Sequence, residues 1–238
     1  MPLPPDELRQ RILNSPVFSP EENRRLYEKY FTAPMRTVQV LNKLYALDQK
    51  RVLVLACAYG YEVVHFGQGS VGLDIDPQFC AFGRSLGLDL READLEAALP
   101  QFDEPFQAVF CSNFIEHVMA PHVLLARIHR LLAPDGLLCF KVPVTPAPWV
   151  HRLYRALGKD HGFDFPDHIN FFSPRTAAWT AIFAGYKVLG LHSPLLDGQA
   201  LTRPLTPLLR PLLPSVVVVA QKDPTFRPAE RRIPFYNW

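Results

Sequence analysis

The sequence predicts an α/β protein, with a parallel sheet, helices on both faces and a helical extension in front. Three observations lead there. From residue 51 onward, short apolar runs alternate with stretches carrying apolar residues at helical spacing, the pattern of repeated strand–helix–strand units. The first run, Val52-Leu53-Val54-Leu55, is apolar on both faces and reads as a strand buried on both sides. Small residues follow it (Ala56, Cys57, Ala58, Gly60), and a second strand over residues 70–73 ends at Asp74. A strand, a tight turn, a helix start and an acid at the next strand's end form the first half of a nucleotide-binding unit. The turn lets a ligand approach the backbone, and the acid accepts hydrogen bonds from ribose hydroxyls.

Residues 1–48 form the helical extension. Ser19-Pro20-Glu21-Glu22 carries helix-start chemistry, with Ser19 as N-cap and Pro20 in the first helical position. Val38, Leu41 and Tyr45 mark a second helix. This extension either closes one edge of the sheet or forms a lid over the cleft, with Tyr27, Tyr30 and Phe31 touching substrate. Beyond Asp74, Pro77 opens a helix that buries Phe79, Phe82 and Leu86, and residues 88–91 form a third strand. Residues 106–111 form a fourth strand. A helix lined by Leu124, Ile128 and Leu131 follows and ends at Pro134-Asp135-Gly136; residues 137–142 form a fifth strand.

Residues 143–170 are a long irregular stretch rich in Pro, His, Asp and aromatics, at the carboxyl end of a strand where loops carry function. Ser173-Pro174 caps a helix with Trp179, Ile182, Phe183 and Tyr186 at helical spacing and Gly185 near its end. Residues 187–192 and 215–221 read as the last strands. The connection between them, residues 193–214, repeats Arg-Pro-Leu and reads as a surface cover or as a docking patch for a partner. Residues 223–238 are a tail whose apolar end is expected to pack on the body. The domain reading is thus an extension or lid at 1–48, a main domain at 49–222 with insertions at 143–170 and 193–214, and the tail.

Composition narrows the function. Across 238 residues the formal net charge is +2 with no basic block, which argues against a dedicated nucleic-acid binder. The four cysteines (Cys57, Cys80, Cys111, Cys139) lack metal-ligand spacing and read as reduced thiols in a cytoplasmic protein. No apolar run reaches the ~20 residues that a membrane-spanning helix requires, and the first residues carry no signal-peptide pattern.

Several segments, in order, make the chain resemble the class I S-adenosylmethionine-dependent methyltransferases, the bacterial methyltransferase-domain proteins in particular. They are VLVLACAYG, GLDIDP, EADLEAALP, AVFCSNFIEHV, LLAPDGLLCFKVP and DHINFFSP followed by a helix ending in AGY. The resemblance spans residues 51–221. It implies a Rossmann-like, seven-stranded, mostly parallel sheet whose last strand is antiparallel, with S-adenosylmethionine as cofactor. Ala56, Cys57, Ala58 and Gly60 would lie against its methionine part and Asp74 would bind the ribose hydroxyls. Ile75 would pack beside the adenine, Asp94 would accept from its amino group and Leu95 would lie against the ring. Asn113 would sit near the amino-acid end.

The chain departs from the pattern where Val54 replaces an acid and Ala56 and Ala58 replace glycines, because alanine disfavours positive φ. Two functions follow. One is a methyltransferase acting on a small molecule, possible aromatic acceptors included, with His168 and then His117 as candidate general bases. The alternative is a degenerate methyltransferase fold serving as a binding or regulatory module. A metal site built from His161, Asp164 and His168 is conceivable, although the spacing gives no recognisable ligand frame, so no metal is assigned.

Overall fold

A computed structural model describes residues 4–32, 35–145, 148–158, 167–193 and 214–226. Most of residues 193–214, the tail beyond 226, and His161 and Asp164 lie outside the described residues, as do the expectations placed on them.

The sheet has seven strands: β1 (Val52–Leu55), β2 (Val71–Asp74), β3 (Asp89–Glu92), β4 (Phe106–Ser112), β5 (Leu132–Pro143), β6 (Tyr186–His192) and β7 (Ser215–Lys222). Their order is β3-β2-β1-β4-β5-β7-β6. β1 to β5 pair in parallel, and β7 runs antiparallel between β5 and β6. The chain reverses its direction of winding between β1 and β4, so their carboxyl ends open a crevice, the usual ligand position in such sheets. Alternating residues feed two cores. Leu53, Leu55, Val109, Cys111, Leu138 and Phe140 face one side; Val52, Val54, Ala108, Phe110 and Cys139 face the other. All four cysteines are buried and free.

Helices α1 (Pro5–Leu13), α2 (Pro20–Leu26) and α3 (Arg36–Tyr45) make up the extension. The Ser19 side chain accepts from the Glu22 N–H, as the cap chemistry requires. α1 and α2 form a third apolar cluster with Phe82 and Leu86 of the α4 region (α4, Pro77–Ser85), and Arg11 donates to the Leu86 carbonyl. The extension is therefore fixed to the β2–β3 connection.

Three local expectations are corrected. The helix expected to reach Leu131 is α5 (Pro121–Ile128), and Pro134-Asp135-Gly136 does not terminate it. Those residues lie inside β5, where the register jumps from Phe106 opposite Leu132 to Ala108 opposite Leu137. A Pro-Asp-Gly run gives the same turn signal in a bulge as after a helix. The helix start expected after the first turn is a single tight turn, Val63–His65. Finally, α7 (Pro174–Phe183; α6 being Pro148–Ala156) buries Ala177 and Ala181, whereas Trp179 and Ile182 are 40% and 48% exposed. Small residues let this helix lie close to the sheet, which turns the large side chains outward. Tyr186 belongs to β6 and donates from its hydroxyl to the Leu125 carbonyl.

Candidate active site

The carboxyl edge of the sheet brings most of the expected residues together. Leaving β1, Ala56 and Ala58 both adopt left-handed backbone (φ 49° and 45°), and Gly60 follows at φ 81°. The turn thus keeps a glycine-type path with alanine at two of its positions, at a cost of about 1–2 kcal/mol for each alanine. Asp74 at the end of β2 secures that path. Its Oδ2 accepts from the Ala58 N–H at 2.7 Å and its Oδ1 from the Asp76 N–H at 3.0 Å. A carboxylate has about four acceptor positions, so each oxygen keeps one for a ligand hydroxyl.

Ile75, directly after it, is 66% exposed, an apolar surface beside the acid. The Ala93 N–H donates to the Asp74 carbonyl, which sets Asp94 next to this edge. Asp94 is exposed, and its Oδ1 caps the Glu96 and Ala97 N–H groups. Leu95, by contrast, is buried in the core. Cys57 is also buried, and burial raises its thiol well above the ordinary value, so it acts as packing and not as a nucleophile.

At the ends of β4 and β5 the chemistry changes. A cavity of about 410 Å³ is lined by Tyr61, Glu62, Ser112, Asn113, Lys141 and Ser215 together with Met35, Arg36 and Thr37 from the start of α3. Asn113 is exposed at φ 52°, a conformation asparagine tolerates, and its N–H donates to the Lys141 carbonyl. Glu62 is 2% exposed and its Oε1 has no hydrogen-bond partner. Burial pushes its carboxyl up to about 8, a rise opposed by Lys141. Burial in turn lowers Lys141, against the pull of Glu62 and Glu116. No ion pair within 4.0 Å joins Glu62 and Lys141 among the described residues. Burial, then the Glu62 charge, raises the Tyr61 hydroxyl. Tyr30 stacks on Tyr61 at 5.3 Å and lies 5.7 Å from Tyr59, so the extension packs on the turn and also supplies one cavity wall. Tyr27 and Phe31 pack in the third apolar cluster.

Glu62 and Lys141 were missed by the sequence reading, and a signal for each was present. Glu62 is an acid in an apolar stretch immediately after the turn, and Lys141 is a lone cation near the end of an apolar strand. The two expected bases stand elsewhere. Among the described residues His117 and His168 do not line the cavity; they pair with each other, ring centres 4.8 Å apart, beside buried Glu116. Burial and then the neighbouring His117 lower His168 below its ordinary value.

Residues 23–191 match the family described as methyltransferase domain, which is most of the chain. The chain belongs to the methyltransferase-domain family. Its architecture is also that of solved structures at low identity. A chain of the Haloferax volcanii Trm112 methyltransferase activator complex is 17% identical, with 93% of this chain and 98% of that one covered at a TM-score of 0.61. The DhpI–SAH complex is 17% identical, with 92% and 95% covered at 0.56. An S-adenosylmethionine-dependent methyltransferase from Mesorhizobium loti is 18% identical, with 77% and 96% covered at 0.55. No curated protein matches the sequence. S-adenosylmethionine is the cofactor that accompanies this family, and the site's donor set fits it: an acid with spare acceptor capacity beside an exposed apolar residue, and a cavity lined by one buried acid and one half-buried amine.

Proposed function

We propose that the chain is an active S-adenosylmethionine-dependent methyltransferase for a small-molecule acceptor, holding the cofactor's amino-acid end between Glu62 and Lys141. One observation carries this reading: the buried acid Glu62 and the half-buried amine Lys141 line one cavity, and no ion pair within 4.0 Å joins them. An isolated buried charge is costly, and a zwitterion with an ammonium and a carboxylate satisfies both at once. Asp74 then takes the ribose hydroxyls, Ile75 and Asp94 flank the adenine, and Asn113 borders the amino-acid end. The backbone of residues 56–60 lies along the methionine part. The left-handed φ values of Ala56 and Ala58 favour retained binding over a degenerate module, because the turn keeps its path despite losing glycines.

The bound cofactor supplies a methyl group activated by its sulfonium. What the chain supplies is position. In-line displacement gains most from holding donor and acceptor close and aligned. Asn113, Tyr61 and the Met35–Thr37 wall bound the space left for an acceptor.

Calorimetry with S-adenosylmethionine is the test. The expectation is one site per chain, weakened by Glu62→Gln and by Lys141→Met, together with methyl transfer to a component of a metabolite extract that Asp74→Ala abolishes. Cofactor affinity indifferent to both cavity substitutions would sink the assignment.

A further inference from the structure

Glu116 poses a question the cofactor reading does not answer. It follows β4 in a short turn, Ile115–His117, is fully buried, and neither carboxylate oxygen has a hydrogen-bond partner. Leaving a buried carboxylate unsatisfied costs several kcal/mol. What lies nearest is specific. One ligand-type atom from each of Glu116, His117 and His168 falls within 4.8 Å of the others. The two histidines come from separate segments, and the backbone ties those segments together: the Ile169 and Asn170 N–H groups donate to the Glu116 carbonyl, and the Asn170 side chain to the Val118 carbonyl. This clamp fixes His168 beside Glu116.

The orientation of His117 is also set. Its Nδ1 lies 3.0 Å from the Asp167 carbonyl, an acceptor only, so Nδ1 donates there and Nε2 is the nitrogen left to face a ligand. A ring nitrogen donating to a backbone carbonyl is the usual outer partner of a metal-bound histidine.

We infer that Glu116, His117 and His168 form a binding site for one divalent transition-metal ion, distinct from the Glu62–Lys141 cavity. Two imidazoles and one carboxylate are ligands for Zn²⁺, Co²⁺ or Fe²⁺, whereas Mg²⁺ and Ca²⁺ prefer all-oxygen sets. Ligands about 2.0–2.2 Å from an ion stand roughly 3–3.5 Å apart, so atoms now within 4.8 Å of one another need close by at most about 1.3–1.8 Å. The ion supplies the direct partner that the Glu116 oxygens lack, and three protein ligands leave a position open to water or to an oxygen or nitrogen of a substrate. His117 and His168 then act as ligands and not as free bases. The inference stands whether or not the Glu62–Lys141 assignment holds.

The test uses untagged full-length protein, stripped with a chelator and titrated with Co²⁺ by visible absorption and with Zn²⁺ by calorimetry. The expected result is one ion per chain and ligand-field bands of a nitrogen–oxygen site, with no competition from millimolar Mg²⁺. His168→Ala and Glu116→Gln should each weaken binding by more than about 100-fold, beyond the about 10–100-fold typical of outer-partner changes. His129→Ala, a histidine bonded to the Asp223 carbonyl on the far part of the sheet, should leave affinity unchanged. Circular dichroism confirms that each variant is folded. Absence of binding to the folded wild-type chain overturns the inference, and so does binding that survives the half-exposed His168→Ala substitution at full strength.

Discussion

The two halves of the carboxyl edge are built on opposite principles. On the β1–β2–β3 side the polar groups are already satisfied by the protein: Asp74 holds Ala58 and Asp76, and Asp94 caps its own loop. On the β4–β5 side, Glu62 and Glu116 are buried with unpartnered oxygens, and Lys141 has no ion-pair partner among the described residues. The first half is organised before any ligand arrives, whereas the second holds buried carboxyl groups without partners that a ligand can satisfy. On the proposed reading a methyl-transfer site gains from both, since one half would fix the cofactor's nucleoside and the other would hold its charged and reacting end.

Substitutions can break or sharpen this contrast. The largest effect is expected from Asp74→Ala, which removes both the anchor of the turn and the proposed ribose acceptor. S-adenosylmethionine affinity should fall by about 100-fold or more, and unfolding free energy by about 1–3 kcal/mol for the orphaned donors, as read by calorimetry and denaturant melts. Next is Glu62→Gln. A lost charge-assisted contact worth about 1.5–3 kcal/mol corresponds to roughly a 10- to 150-fold weaker complex.

The same variant tests the buried carboxyl group through pH. Glu62 moves from an ordinary 4.5 to about 8 in the fold. Between those values the folded chain keeps a proton that the unfolded chain has released, so its contribution to stability falls as pH rises and levels off above about 8. Glu62→Gln should remove that slope and be the more stable protein at high pH; an unchanged slope would assign the pH dependence elsewhere. Asp94→Asn should have a smaller effect, a few-fold loss in cofactor affinity with little change in stability, because the exposed side chain can still cap its loop. The smallest expected change is in Ala58→Gly. Release of left-handed strain should raise stability by about 1 kcal/mol, seen as a shift of about 2–4 °C in a thermal melt, with affinity unchanged.

Much of the fold was legible because strand burial leaves a dense local signature. VLVL, FQAVFC and SVVVVAQ each became a strand within a residue or two of the expected bounds. Where the reading slipped, one local signal had two solutions. Pro134-Asp135-Gly136 suits a helix stop and a bulge alike, and pairing with β4 decided for the bulge. The aromatic stripe of α7 lost to Ala177 and Ala181 because contact with the sheet rewards close approach over side-chain size.

The turn after β1 shows the division most clearly. By itself the sequence determined that a strand, a small-residue turn and Asp74 would meet, since short-range order and apolar patterning suffice for that. It also marked Ala56 and Ala58 as departures. Only the tertiary structure decided that both would take left-handed backbone, because the Asp74 carboxylate, sixteen residues on, holds the Ala58 N–H in place. The meeting of Glu62 with Lys141 in one cavity, and of Glu116-His117 with His168, is likewise tertiary. Each group joins residues from separate segments, and only the carboxyl edge of the sheet brings those segments together, where a buried carboxyl group without a partner acquires a use.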